Sequence, residues 1–254
     1  MGKSNTFIYP IHLGTITDFE SSLATLRRNF GIKREMPCIG WVILGSGKKI
    51  IVDTGPSGSD WSLKYHWPLK KEPSQEIEAS LQTLGLSPKE IDLVILTHLH
   101  WDHCYNLELF SNASFVVQKK ELEYAIAPLP ADRRVYEVDI PGIQPPWMKV
   151  FGRMVPVDKD QQIVAGIRVI FLPGHTPGCQ GVIVDTEQGE WVIAGDTVPV
   201  YENWRSKDFR TPAPSGLFQN LHNFYHSLKR LEIFGDKVLP SHDGRVLNHS
   251  RYPF

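Results

Sequence analysis

Between Leu96 and His103 the chain reads Leu-Thr-His-Leu-His-Trp-Asp-His, which places three imidazoles and one carboxylate within six residues. Neutral imidazole nitrogen and ionised carboxylate oxygen are the donors that zinc and its first-row neighbours bind. His98 and His100 stand two apart, so on extended backbone both side chains leave on the same side and can grip one ion. Asp102 and His103 follow at the end of an apolar run, where a turn would aim them at a second point. Further donors lie far along the chain: His175 in Pro173-Gly174-His175-Thr176-Pro177-Gly178, Asp196 in Gly195-Asp196-Thr197, and His242 in Pro240-Ser241-His242-Asp243. Each sits just after a strand-like apolar run or in a Gly/Pro turn. Asp53, in Val52-Asp53-Thr54-Gly55, has two readings: a turn former, or an acceptor that orients a metal-bound imidazole. His98, His100, Asp102, His103, His175, Asp196 and His242 are enough donors for two ions, and a carboxylate such as Asp196 can bridge them. Two ions about 3.5–4 Å apart can share a hydroxide nucleophile, polarise a carbonyl and hold the departing oxygen.

Positioning these donors requires strands that end where the donors begin. Phe7 to Leu13, Ile39 to Leu44 and Ile50 to Val52 have the apolar density of strands, with Phe19 to Phe30 expected as a helix. Gly45-Ser46-Gly47-Lys48 reads as a hairpin turn, because a strand follows it where a phosphate loop needs a helix. Trp61 to Glu72 reads as a loop edging a pocket. Gln75 to Leu84 has a helical apolar face of Ile77, Leu81 and Leu84, and Gly85 stops it. Ser87-Pro88-Lys89-Glu90 is a capping-box start, and Ile91 to Leu96 is a buried strand that delivers the histidine cluster. Ser114 to Gln118 reads as a strand and Lys119 to Ala127 as a helix. Ile163 to Leu172 is a hairpin about Gly166, and Gly181 to Val184 and Trp191 to Ala194 are two more strands. Leu217 to Phe234 is a helix with Leu221, Phe224, Leu228 and Leu231 on one face. Lys237 to Leu239 is a last strand. His222 and His226 stand four apart on that helix, but Asn223 occupies the place of a metalloprotease glutamate, so they read as surface or packing residues. A Pro-rich stretch at about 128–156, with Tyr136, Trp147, Met148 and Phe151, reads as a lid over the site.

The bulk properties narrow the function classes. The 254 residues fit a single domain with a sizeable core. The formal net charge is −1 and no Lys/Arg run exceeds two residues, as at Lys70-Lys71 and Arg133-Arg134, which argues against a nucleic-acid partner. No apolar run approaches a membrane span, and the N-terminal Met-Gly-Lys-Ser-Asn-Thr lacks a signal-peptide segment. Cys38, Cys104 and Cys179 are odd in number and widely spaced, the pattern of a reducing compartment, so a cytoplasmic location is expected. Cys104 and Cys179 read as packing residues.

The motifs Val52-Asp53-Thr54-Gly55, Thr97-His98-Leu99-His100-Trp101-Asp102-His103, Gly174-His175-Thr176-Pro177-Gly178, Gly195-Asp196 and Ser241-His242 together resemble those of the metallo-β-lactamase-fold hydrolases. Within them the chain is most similar to the quorum-quenching, N-acyl-homoserine lactonase-like group. The resemblance implies an α/β fold, a four-layer αββα sandwich with metals at one edge. It implies that His98, His100 and His175 hold one divalent ion, that Asp102, His103 and His242 hold the other, that Asp196 bridges, and that Asp53 orients from behind. The ions would be zinc, with iron, manganese or cobalt as alternatives. It also implies that a metal-bridging hydroxide opens a lactone ring, with Asp102 accepting or passing the proton.

Other branches fit less well. Asp196 stands where the β-lactamases proper commonly carry cysteine, Cys104-Tyr105-Asn106 replaces the Gly-Gly of the glyoxalase II-like thioesterases, and His100 excludes the diiron electron-transfer pattern. One departure touches the lactonase reading: Pro199 replaces a tyrosine that the lactonases carry three residues after the bridging aspartate. Tyr201, Tyr105 and Tyr136 are the candidates to take its place, and Tyr201 is the expected catalytic one. Trp101, Tyr105, Tyr136, Trp147 and Met148 are the expected substrate-pocket residues. The alternatives are hydrolysis of another cyclic ester or amide or of a thioester, a mononuclear iron-dependent redox enzyme, and a non-catalytic binding module. The partner expected is a small-molecule substrate; a homodimer is compatible with the sequence.

Overall fold

Runs of β-branched and aromatic residues build two sheets in the computed structural model, which describes residues 5–205 and 212–254. The N-terminal reading draws on residues 1–4 and the loop after Asp196 includes residues 206–211; both stretches lie outside the described residues. The first sheet comprises β1 (Phe7–Glu20), β2 (Lys33–Leu44), β3 (Ile50–Val52), β4 (Leu69–Lys70), β5 (Leu93–Ile95), β6 (Ser114–Gln118) and β7 (Met154–Val157), in the order β4-β1-β2-β3-β5-β6-β7. The second comprises β8 (Gln161–Val164), β9 (Ile167–Phe171), β10 (Gln180–Thr186), β11 (Gly189–Ile193) and β12 (Val238–Leu239), in the order β12-β11-β10-β9-β8. Helices are α1 (Ser21–Ala24), α2 (Ser59–Tyr65), α3 (Ile77–Gln82), α4 (Lys119–Ile126), α5 (Pro146–Lys149), α6 (Tyr201–Trp204) and α7 (Leu221–Leu231). Among the described residues, no helix is long and apolar enough to cross a membrane.

Strand alternation divides the apolar residues between layers. Val94 and Leu96 pack with Ile77 and Leu81 of α3 and Leu122 of α4. Ile95 and Val52 face the other way, against Val169, Val182 and Ile193 of the second sheet. On the far face of that sheet, Ile170, Ile183 and Val192 meet Phe224, Leu228 and Leu231 of α7. The result is the expected four-layer αββα sandwich. β3 runs parallel to β5 and β11 parallel to β12, so the chain segments that follow them all emerge at one end. These are the segments carrying Asp53, the His98–His103 cluster, Asp196 and His242.

Three local expectations change. The helix expected over Phe19 to Phe30 is only the single turn α1. β1 continues through Phe19, which pairs with Arg34 of β2, and positive φ at Arg27 (60°) and Asn29 (52°) prevents a helix from continuing. Trp61 to Glu72 is not all loop, since it holds most of α2 and the short strand β4. The 128–156 stretch is partly regular, since it contains α5 and the start of β7, which pairs parallel with β6. His222 and His226 are both exposed on α7.

The turn before His175 depends on a glycine. Gly174 has φ of 146°, and a Cβ there would sit 2.4 Å from the Phe224 Cα. Gly174→Ala is expected to destabilise the fold by about 2 kcal/mol or more, from strain and displacement of α7 together; urea denaturation of the metal-free chain measures it.

Candidate metal centre

Asp196 lies at the middle of the cluster and turns its two oxygens to different groups. Its Oδ1 is 3.4 Å from His103 Nε2 and 3.2 Å from His242 Nε2. These two nitrogens are 3.3 Å apart, and each is 3.7 Å from Asp102 Oδ2. Asp196 Oδ2 is 3.4 Å from His175 Nε2, which is 3.2 Å from His100 Nδ1. His98 completes this second group, with ligand atoms of His98, His100 and His175 all within 4.8 Å of one another. A tetrahedral ion with bonds of about 2.0–2.1 Å separates its donors by about 3.3 Å, close to the 3.2–3.4 Å contacts among Asp196, His100, His103, His175 and His242. His98 Nε2 is buried without any hydrogen-bond partner, which is costly unless a cation takes its lone pair.

The backs of the rings decide where those lone pairs point. His103 Nδ1 donates to Asp53 Oδ2 at 2.8 Å, His175 Nδ1 to the Leu217 carbonyl at 2.9 Å, and His242 Nδ1 to the Pro37 carbonyl at 3.0 Å. The Thr97 hydroxyl donates to Asp53 Oδ2 at 2.7 Å, so its oxygen accepts from His98 Nδ1 at 3.1 Å. In all four rings the proton is thereby placed on Nδ1 and the Nε2 lone pair faces the centre. Asp53 also accepts from the Thr97 N–H at 2.8 Å, and it holds φ at 57°. Its side chain therefore serves an imidazole and the strand end together, while its backbone makes the turn. The turn reading describes its backbone, and its carboxylate is an acceptor on the His103 ring.

Electrostatics favour a cation. Burial and the neighbouring imidazoles push His98 and His100 well below the ordinary histidine range, so both rings are neutral donors. Burial opposes charge on His103 and His242, yet the carboxylates around them outweigh it and raise both, His103 strongly, with Asp102, Asp196 and Asp53 all contributing there. Burial likewise pushes the Asp196 carboxyl up, but His242, His103 and His175 hold it well below the usual carboxylate range. The half of the centre with Asp102 thus draws positive charge, which protons or a metal ion can supply.

A cavity of about 310 Å³ opens onto the donors; His100, Asp102, His175, Asp196 and His242 form its polar wall. The remaining wall is mainly apolar, with Ile16, Phe19 and Leu23 from β1 and α1, then Met36, Trp67, Trp101, Val135, Leu217 and Phe218. Trp101 lies on its wall, and Ala131, Asp132 and Val135 bring the Pro-rich stretch to its edge. Five expected residues do not line it. Tyr201 packs its ring against the inter-sheet core beneath the Arg245 guanidinium, and burial pushes its hydroxyl up to about 12. Tyr105 stands beside Trp61. Trp147 is fully buried in the core between the first sheet and its helices, while Met148, next in α5, faces solvent. Tyr136 is also off the cavity wall, buried with its hydroxyl on Glu121 and its ring edge-on to His100 at 4.8 Å.

Sequence reasoning missed two neighbours of the centre. Cys38, on β2, has its Sγ within 4.8 Å of ligand atoms of Asp102 and His242. Glu121, in the first turn of α4, is fully buried and linked to both histidine-bearing turns. Neither carries a local motif. Their places follow from β2 and α4 packing beside the strand ends.

The model of the metallo-beta-lactamase superfamily matches residues 36–242, most of the chain and all of the donors above. The chain belongs to the metallo-beta-lactamase superfamily. Among curated members, it is 27% identical over 216 residues to the N-acyl homoserine lactonase AttM of Azorhizobium caulinodans, covering 80% of this chain and 78% of that protein. Among solved structures, it is similar to an N-acyl homoserine lactone hydrolase with the product N-hexanoyl-L-homoserine bound at its catalytic metal center. That match has a TM-score of 0.77 and 22% identity, over 100% of this chain and 99% of the other. A second is AidC, a dizinc quorum-quenching lactonase, with a TM-score of 0.71 and 16% identity over 96% and 89% of the two chains. For this metallo-beta-lactamase superfamily member, Asp53→Asn is an informative change. It keeps the shape and tolerates positive φ, but its amide would donate to His103 Nδ1 and shift the ring proton onto Nε2. Zinc affinity, read by competition with a chromophoric chelator, is expected to fall about 10–100-fold, with little change in the urea midpoint of the metal-free chain.

Proposed function

We propose that this protein is a dinuclear metal-dependent hydrolase that opens the ring of an N-acyl homoserine lactone or a related lactone. The observation that carries the reading is Asp196, whose two oxygens face two separate donor groups. His98, His100 and His175 with Asp196 Oδ2 would hold one ion, and Asp102, His103 and His242 with Asp196 Oδ1 the other. Zinc suits these nitrogen and oxygen donors, and iron, manganese and cobalt are compatible with them. Two bound cations supply Lewis acidity toward the ring carbonyl and a water of lowered pKa.

The chain's own residues do the rest. Asp53, Leu217 and Pro37 keep the imidazole lone pairs aimed inward. Asp102 lies on the cavity wall, its side chain 12% exposed, where it can accept a proton and pass it toward the leaving oxygen. The apolar wall takes an acyl tail and keeps water from it, and the 131–135 part of the Pro-rich stretch serves as its lid. The three unpaired, buried cysteines suit a reducing, cytoplasmic compartment. Pro199, on the cavity wall, supports a second reading, in which the substrate is another cyclic ester or amide that needs no tyrosine hydroxyl.

Ring opening of an N-acyl homoserine lactone by zinc-loaded protein, followed by proton release, tests the proposal. Activity is expected to vanish on complete chelation and to return with zinc; turnover that survives metal removal would end it. Asp196→Asn is expected to lower bound metal and rate together, the rate by roughly 100-fold or more. Because each buried methylene contributes about 0.8 kcal/mol, kcat/KM is expected to rise about fourfold per methylene along a short acyl series until the cavity is full. A flat series, with cyclic esters or imides turned over as well as the acylated ring, would favour the second reading.

A further inference from the structure

We propose that Glu121 is a positioning residue that sets the distance between the two turns carrying the His98/His100 pair and His175; the inference rests on the metal-centre reading above. Its carboxylate accepts four hydrogen bonds. Oε1 takes the Leu99 N–H at 3.0 Å and the Tyr136 hydroxyl at 2.6 Å. Oε2 takes the Thr176 hydroxyl at 2.7 Å and the Gly178 N–H at 3.1 Å. Leu99 lies between His98 and His100, and Thr176 follows His175 directly. One buried carboxylate therefore bridges two segments more than seventy residues apart in the chain, whose rings approach to 3.2 Å at His100 Nδ1 and His175 Nε2. Tyr136, bound to the same oxygen, also braces the His100 ring.

Backbone packing makes the bridge rigid. A Cβ on Gly178 would stand 2.2 Å from the Glu121 backbone nitrogen, so the His175 turn lies directly against the first turn of α4. Strand β6 leads straight into that helix. Only a carboxylate suits the pocket fully. The Leu99 and Gly178 N–H groups can only donate, and each meets a different oxygen. A glutamine amide would confront one of them with its own N–H whichever way it turned. Aspartate, one methylene shorter, cannot span both turns.

The test is a zinc titration of full-length protein against a chromophoric chelator, together with visible spectra of the cobalt-loaded form. The binding step missing from His100→Ala marks the His98/His100/His175 group. In Glu121→Gln that step is expected to weaken at least about 10-fold and the other to stay within about threefold, with a changed cobalt spectrum. Thr176→Val, which removes one donor, should shift the same step in the same direction by less, and it serves if Glu121→Gln does not fold. A merely structural role would lower the urea midpoint and leave both affinities and the spectrum unchanged; that result overturns the inference. A wild-type chain that binds no metal overturns both the inference and the proposed function. Two tight sites in wild type and in both variants overturn the inference alone.

Discussion

Lone pairs that face one another at little more than 3 Å repel unless a positive charge sits between them, and this chain sets the Asp196 carboxylate and the His100, His103, His175 and His242 imidazoles in that arrangement, with Asp102 and His98 close by. The folded state must therefore hold the donors against their mutual repulsion before any cation arrives. It does so by tying rings from behind. Four of the imidazoles spend their Nδ1 protons on Asp53, Thr97, Leu217 or Pro37, which leaves one nitrogen each for the centre. Asp196 is restrained similarly, by the Ser241 hydroxyl at 2.6 Å.

The sandwich makes this restraint affordable. Parallel neighbours β3 and β5 in one sheet, and β11 and β12 in the other, end at the same edge. Short loops there present donors from a stable inter-sheet core of Val52, Ile95, Val182 and Ile193. Loops fixed at both ends lose less freedom when they order. The apolar cavity lies beside this edge because β1 runs past the sheet's centre to Glu20 and brings Ile16 and Phe19 to face Trp101 and Leu217. Chemistry and substrate room thus come from different parts of the chain.

Strands were legible where β-branched runs ended in polar turns: Ser114–Gln118 and the hairpin about Gly166 fall where periodicity placed them. The helix expected after Phe19 was not, since the pairing of Phe19 with Arg34 is a long-range bond that outweighs local preference. His98 and His100 converge, although they lie in the loop after β5 and not on the strand itself. Their approach comes from that loop and from the Leu99 N–H held by Glu121. Tyr201, expected from its place two residues after Pro199, and Trp147, expected from the Pro-rich stretch, both turn away from the cavity. Tyr201 is partly buried against the inter-sheet core and Trp147 lies inside the other core, because large polar-tipped rings suit pockets and cores alike and only packing distinguishes them.

By its letters alone, the chain determined the donor types, their order and their attachment to strand ends, because metal ligation needs particular side-chain chemistry at turns that a short window displays. The tertiary structure decided the grouping. Which oxygen of Asp196 meets which histidines, where Cys38 and Glu121 stand, and which apolar side chains surround the cavity depend on contacts between segments tens to hundreds of residues apart. No local spacing encodes those contacts, since they arise only when the two sheets pack and bring their strand ends to one edge.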